Sequence, residues 1–309
     1  MSQSAIDGTL EVKTLVRAGS LMDVHRGVLT SNSGAKQEVS VKILRCVNMK
    51  VPYMQDTDQE TALINKRITH DVEIWKSLNH PNILSVLGLE LEDGPYVVNP
   101  LLVPAATLNH VIQTEPDTER LLNLLKQAAD GLHYLHSHTP PIVHGSINPD
   151  NVCIVDDDRA VLSDFGLHPL CEYIAEGLTL TTNNSSSNYI PAPEVLAPEE
   201  CSNAQERYTI ASDVYDFGSM ILEVLSGKRP YYDMTRYRAI MAAMKGDLPT
   251  SKQHPALHAE DTMWDLIHSC WNISPKDRPG MDIVAAKLEA RRLEFVADAN
   301  TRRSSCHVL

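Results

Sequence analysis

The chain has 309 residues, 43% of them hydrophobic and 22% charged, with a formal net charge of −13. That composition belongs to a soluble globular chain, long enough for one large domain or two lobes with separate cores. Its acidity excludes a nucleic-acid surface, which needs clustered Lys and Arg. The six cysteines (Cys46, Cys153, Cys171, Cys201, Cys270 and Cys306) show no C-x-x-C pairing and read as free thiols of a reducing compartment. No apolar run approaches the ~20 residues of a membrane span. The start, Met1-Ser2-Gln3-Ser4, has no secretory signal, and Ser2 stands where N-myristoylation requires glycine. The expected location is the cytoplasm.

In chain order, residues 10–30 and 37–46 are predicted strands. Leu10 to Val16 alternates, and Val39-Ser40-Val41-Lys42-Ile43-Leu44 is β-branched and apolar. A polar loop through Asp56-Thr57-Asp58 leads to a predicted helix near 60–78, with Ile64, Ile68, Val72 and Trp75 at helical spacing. His80-Pro81 ends it, and Asn82-Ile83-Leu84 is expected to open another strand. A strand at Tyr96-Val97-Val98 then meets Pro100 and Pro104, a natural lobe boundary. Beyond it the pattern is helical: a stripe of Leu121, Leu124, Leu125, Ala128, Leu132 and Leu135, then helices over Ile210–Leu225 and Thr262–Cys270. Residues 178–188 are rich in Thr, Ser and Asn and read as a loop. A β-rich part followed by a helical part is an α+β arrangement.

Two motifs carry the chemistry. His144-Gly145-Ser146-Ile147-Asn148-Pro149-Asp150-Asn151 precedes Asp164-Phe165-Gly166. Together they resemble a protein-kinase catalytic loop, H-R-D-x-K-P-x-N, and its metal-binding D-F-G. Val39-Ser40-Val41-Lys42 resembles the strand whose Lys contacts the α/β-phosphates. Pro191-Ala192-Pro193-Glu194 resembles the A-P-E that closes the activation segment, with Arg278 at the position of its ion-pair partner. From about residue 10 to 292 the chain therefore resembles a protein kinase, closest to the tyrosine-kinase-like serine/threonine group.

The resemblance implies a bilobal kinase-like fold of class α+β. Its N-lobe would span 10–103, its helical C-lobe 104–292, and a flexible tail 293–309. It places Asn151 and Asp164 as magnesium ligands and Gly19, Val24, Lys42 and Asp164 at the nucleotide. Of the Gly-rich loop only Gly19 remains, with Arg17 and Met22 at the two outer glycine positions. Asp71 stands where active kinases place the Glu that pairs with the strand Lys. Asp213 is expected to bond the backbone around His144, and Trp75, Val86, His144 and Phe165 to stack as a hydrophobic column.

The resemblance breaks at the chemistry. Ser146 occupies the base position, Gly145 the Arg position and Asn148 the catalytic-loop Lys position, so no catalytic residue is intact. A hydroxyl holds its proton too tightly to act as a base near neutral pH, and losing general-base catalysis costs roughly 10²–10⁴ in rate. The expectation is a pseudokinase that binds ATP with Mg²⁺ weakly and acts on other signalling proteins as a scaffold or regulator. Two alternatives stay open: an active serine/threonine kinase with an atypical catalytic loop, and a nucleotide-free protein-binding module, favoured by Arg17, Met22 and Pro100 at the gatekeeper position. Cys306-His307-Val308-Leu309 has the C-a-a-X form for geranylgeranyl transfer, from which reversible membrane association is expected.

Overall fold

Antiparallel pairing organises the first part of the chain. The computed structural model describes residues 6–18, 22–44, 58–90, 96–100, 106–114, 116–156, 158–177, 189–196 and 207–306. Two compact units emerge, Met1–Pro104 with His168–Ser186, and Ala105–Leu167 with Ser187–Leu309.

The first unit is built on β1 (Thr9–Ala18), β2 (Met22–Thr30) and β3 (Lys36–Leu44), then α1 (Asp58–Ser77), β4 (Gly88–Glu90) and β5 (Tyr96–Pro100). The five strands form one sheet in the order β1-β2-β3-β5-β4. Alternation along β3 turns Val39 and Val41 into a core with Ile6, Leu29 and Val98. On α1, Ile68, Val72 and Trp75 are buried at the 3–4-residue spacing of one helix face, as the periodicity predicts. The strand expected from Asn82 does not form there. Ile83, at a single bridge, and Leu84 are buried after a turn closed by the Ile83 amide on the His80 carbonyl, and strand β4 begins only at Gly88.

The second unit contains β6 (Ala106–Thr107), α2 (Leu108–Thr114), α3 (Thr118–His136), β7 (Val152–Val155) and β8 (Arg159–Leu162). The three strands pair in the order β6-β7-β8. Asp117 caps α3 by accepting from the Arg120 amide at 2.8 Å, and all six residues of the expected leucine–alanine stripe are buried. A helix absent from the sequence reading, α4 (Leu167–Gly177), follows the Asp164-Phe165-Gly166 turn, and from His168 onward it groups with the first unit. Then come α5 (Pro193–Leu196), α6 (Ile210–Ser226), α7 (Arg236–Lys245), α8 (Met263–Cys270) and α9 (Met281–Cys306).

Helix α6 is buried on nearly every side, starts on a Thr209/Ser212 capping box and ends at left-handed Gly227. Gly218 lets it approach α8 closely: a Cβ there would lie 2.6 Å from the Cβ of Cys270. Of the tail expected over 293–309, residues 293–306 continue α9 as helix, and 307–309 lie outside the described residues. Arg291 of α9 pairs with Asp261 through two bonds of 3.1 and 2.7 Å, which anchors the helix two residues before the tail was expected to begin. Among the described residues, no helix is long and apolar enough to cross a membrane.

Candidate functional site

In the first unit, Lys42 lies mid-strand on β3, opposite Val24 of β2 and Val97 of β5, and is 5% exposed. Val24 is half-buried. Gly19 lies outside the described residues, as does the loop at 178–188. Asp71 accepts from Arg67 Nε at 2.9 Å, one turn earlier on α1. The local i,i+4 geometry gives this shortened carboxylate a guanidinium on its own helix. Trp75 and Val86 are both buried.

The loop of the second unit is fastened from below by α6. Asp213, fully buried, accepts from the backbone amides of His144 at 2.8 Å and Gly145 at 2.7 Å. His136 of α3 adds a third contact at 2.9 Å from Nε2. No local signal points to His136, which lies far away along the chain and meets Asp213 only through packing. Gly145 has φ +73°, a left-handed conformation that suits glycine at little cost. His144 packs edge-on against Phe165, ring centroids 6.5 Å apart, and among the described residues neither ring nitrogen finds a hydrogen-bond partner. Burial, opposed by Asp213 and Asp164, lowers its pKa below the ordinary 6.5, so this imidazole is a neutral packing group.

Ser146 is enclosed by amides. Asn148 Nδ2 donates to its carbonyl at 3.0 Å and its Oγ at 3.3 Å, and Asn151 Nδ2 does the same at 2.8 and 3.2 Å. Asn148 also caps the short 3₁₀ turn Pro149–Asn151 by accepting from the Asp150 amide at 2.9 Å. The residue at the catalytic Lys position thus serves as a loop brace. The Asn151 carbonyl accepts from the Ser163 amide at 2.9 Å, which sets Asp164 beside it; Asp164 has φ +65°. The Gly166 amide returns to the His144 carbonyl at 2.9 Å, so the two motifs form one backbone-bonded block.

With its amide nitrogen on Ser146, Asn151 keeps its side-chain oxygen for another partner, and Asp164 supplies a carboxylate. An amide oxygen with a carboxylate fits a hard divalent cation such as Mg²⁺. Asn151 and Asp164 would hold the metal, while Lys42 carries a cation suited to phosphate. The bound metal–nucleotide would supply a transferable phosphoryl group.

Glu194 and Arg278 form the pair expected of the scaffold motifs. Arg278 Nη1 reaches Glu194 Oε1 at 2.6 Å, Nη2 reaches Oε2 at 2.9 Å, and further bonds go to the carbonyls of Ala211 and Asn272. The side chain of Cys306 and residues 307–309 lie outside the described residues, so the lipidation signal is not placed.

A loop of this layout, hung on a buried helix Asp and joined to a left-handed Asp-Phe-Gly turn, defines a protein-kinase-type domain. Residues 10–288 match the family model for the protein tyrosine and serine/threonine kinase domain, and the chain belongs to that family. It is similar to kinase suppressor of Ras A of Caenorhabditis elegans, at 28% identity over 71% of this chain and 29% of that protein. It is 26% identical to the probable serine/threonine-protein kinase drkB of Dictyostelium discoideum, over 74% of this chain and 31% of that protein. A putative serine/threonine-protein kinase/receptor of Acanthamoeba polyphaga mimivirus, R818, is 27% identical over 83% of this chain and 14% of its own length. The chain spans less than a third of each of these relatives.

Proposed function

We propose that this domain is a pseudokinase: it binds ATP with Mg²⁺ weakly, transfers phosphate inefficiently, and acts by docking other signalling proteins in the cytoplasm. One observation carries the reading. At the base position stands Ser146, whose Oγ already receives two amide N–H groups, from Asn148 and Asn151. A hydroxyl so placed has its lone pairs occupied and no carboxylate to take the proton. The nearby loop acid, Asp150, has one oxygen bonded to Asn109 at 2.8 Å and the other to Tyr189 at 3.2 Å, which ties it to other work. Weak nucleotide binding is supported by the buried Lys42 and by the oxygen pair of Asn151 and Asp164.

The test measures the melting temperature with saturating Mg-ATP beside radiolabelled phosphate transfer. A ligand at 100 times its Kd stabilises by about 2.7 kcal/mol, a shift of several degrees. The expected outcome is a shift that Lys42→Met abolishes, with transfer far below the ~1–100 s⁻¹ of working kinases. Transfer at those rates would sink the pseudokinase reading. No shift at saturating Mg-ATP would make the domain a nucleotide-free binding module instead.

A further inference from the structure

Helix α7 carries its bulky side chains outward. Its inward face is Ala239, Ala242 and Ala243, which cluster with Tyr231 and are packed by Ile190 and Leu196. At 3.6 residues per turn Tyr237, Met241 and Met244 fall on one stripe, about 180° around the helix from the alanines. All three are exposed, Tyr237 by 73%. An ordinary surface helix does the reverse and turns its large apolar residues to the core. Of the eleven large hydrophobic side chains exposed among the described residues, five lie within 232–244, so this is a patch and not the scattered apolar exposure of any surface.

Charge singles out the same segment. Residues 228–253 hold six of the chain's 27 Lys and Arg but only two of its 40 Asp and Glu, in a protein of net charge −13. On α7 itself, Arg238 and Lys245 lie two turns apart along one border of the stripe, and both are exposed. Among the described residues neither makes an ion pair, and the Tyr237 hydroxyl makes no hydrogen bond. Tyr232, by contrast, is engaged: it donates to the Gln253 carbonyl at 3.1 Å and lies under the Lys228 ammonium. The end of α7 is fixed by the amides of Gly246 and Asp247 on the carbonyls of Ala243 and Ala242, at 3.1 and 2.9 Å. A stripe on a fixed helix loses little conformational entropy when it is covered, and unbranched methionines adapt to what covers it.

We infer that the outer face of α7 docks an amphipathic helix of a partner protein, whose apolar residues lie on Tyr237, Met241 and Met244 and whose acidic residues, two turns apart, meet Arg238 and Lys245. The inference rests on the partner-docking part of the proposed function and names the surface and the chemistry of the partner. Charge selects this occupant. An anionic membrane would meet the same two cations, but the acidic remainder of the chain repels such a surface. A second copy docked by the same face brings another basic border instead of the acids the first one needs.

Fluorescence polarisation with the full chain, at about 0.15 M ionic strength to screen bulk attraction, tests this. The probe is a labelled alanine-rich helical peptide with leucines on one stripe and glutamates two turns apart along its border. One control peptide replaces the glutamates by glutamines, the other the leucines by alanines. The glutamate peptide should bind at least roughly tenfold more tightly than either control. Arg238→Glu combined with Lys245→Glu should weaken it about tenfold or more and transfer the preference to a peptide with lysines in place of the glutamates. Tyr237→Ala should weaken it about tenfold, whereas Leu293→Ala, an exposed side chain of α9, should leave it unchanged. All four positions are exposed, so these variants should melt with the unmodified chain.

Equal binding of the three peptides overturns the docking face, as does an α7 variant that binds as tightly as Leu293→Ala. A dimer seen in sedimentation and lost in the Arg238→Glu, Lys245→Glu chain would overturn it in favour of a contact between copies. Binding to vesicles of phosphatidylserine and phosphatidylcholine, lost in that same chain and unaccompanied by peptide binding, would overturn it in favour of a membrane surface. Phosphate transfer from Mg-ATP at working-kinase rates would remove the pseudokinase reading, while the α7 face would still stand or fall on the peptide data.

Discussion

At residue 146 a hydroxyl replaces a carboxylate, and its two amide neighbours show how the loop accommodates the change. A carboxylate at this position would still find the Asn151 N–H, and Asn148→Lys would set an ammonium group in place of the other amide. Ser146→Asp combined with Asn148→Lys should therefore raise phosphate incorporation by roughly 10²-fold or more over the unmodified chain. The accompanying loss of the Asn148 cap should cost about 1 kcal/mol of stability. No gain in a radiolabelled assay would mean that some group other than the base limits transfer.

Two buried titratable residues also predict opposite responses of stability to pH. His144 has its folded pKa below the ordinary 6.5, so the unfolded chain takes up protons first, and stability is lost as pH falls below that value. His144→Phe should flatten the fall in urea midpoint between about pH 7 and about pH 5. Glu223 is raised from 4.5 to about 7, so its contribution is full below the unfolded value and is lost as pH rises through about 7. Glu223→Gln should thus gain about 2–3 kcal/mol relative to wild type on going from about pH 5 to about pH 8, as read from denaturant melts at the two values.

At the scale of elements, the contact between α6 and α8 depends on a missing side chain. Adding one methyl in Gly218→Ala forces a carbon to within 2.6 Å of the Cβ of Cys270, in a place where both helices are buried. The helices must part or shift, at a cost of about 1–3 kcal/mol, less the fraction returned by better helix propensity. A melting temperature equal to wild type would contradict this packing. Helix α9 shows a related dependence. Its fully buried apolar residues end at Leu288, and the Arg291–Asp261 pair then ties the helix to the turn before α8. Bonds to Arg291 and to the Met263 amide outweigh burial and hold the Asp261 carboxyl below its usual range.

At the scale of the whole molecule, Arg278 links segments distant in sequence. Its guanidinium joins Glu194 of α5, the Ala211 carbonyl of α6 and the Asn272 carbonyl after α8, and lies 5.1 Å from the ring centroid of Tyr215. The Arg278 side chain is 1% exposed, and Glu194 is 22% exposed. Arg278→Ala leaves the carboxylate largely buried without its cation and three carbonyl or carboxylate groups without their donor. The expected cost is about 3–5 kcal/mol in chemical denaturation, a large share of the stability of an ordinary domain.

What the sequence determined by itself was whatever is written locally or at fixed spacing. The alternation of Val39 and Val41, the stripe on α3 and the punctuation of His144–Asn151 and Asp164–Gly166 each depend on backbone period or on neighbours a few residues apart. From these came the α+β class, the kinase-type loop and the loss of its base. Tertiary structure decided the rest. Asp71 turned to Arg67 because a partner one helical turn away was the nearer cation. Residues 167–177 became a helix, and α9 ran on past residue 292, in contexts no local signal specifies. The meeting of Asp150 and Tyr189 was illegible for the same reason: each residue alone is unremarkable, and only packing brings the Tyr189 hydroxyl to the Asp150 carboxylate.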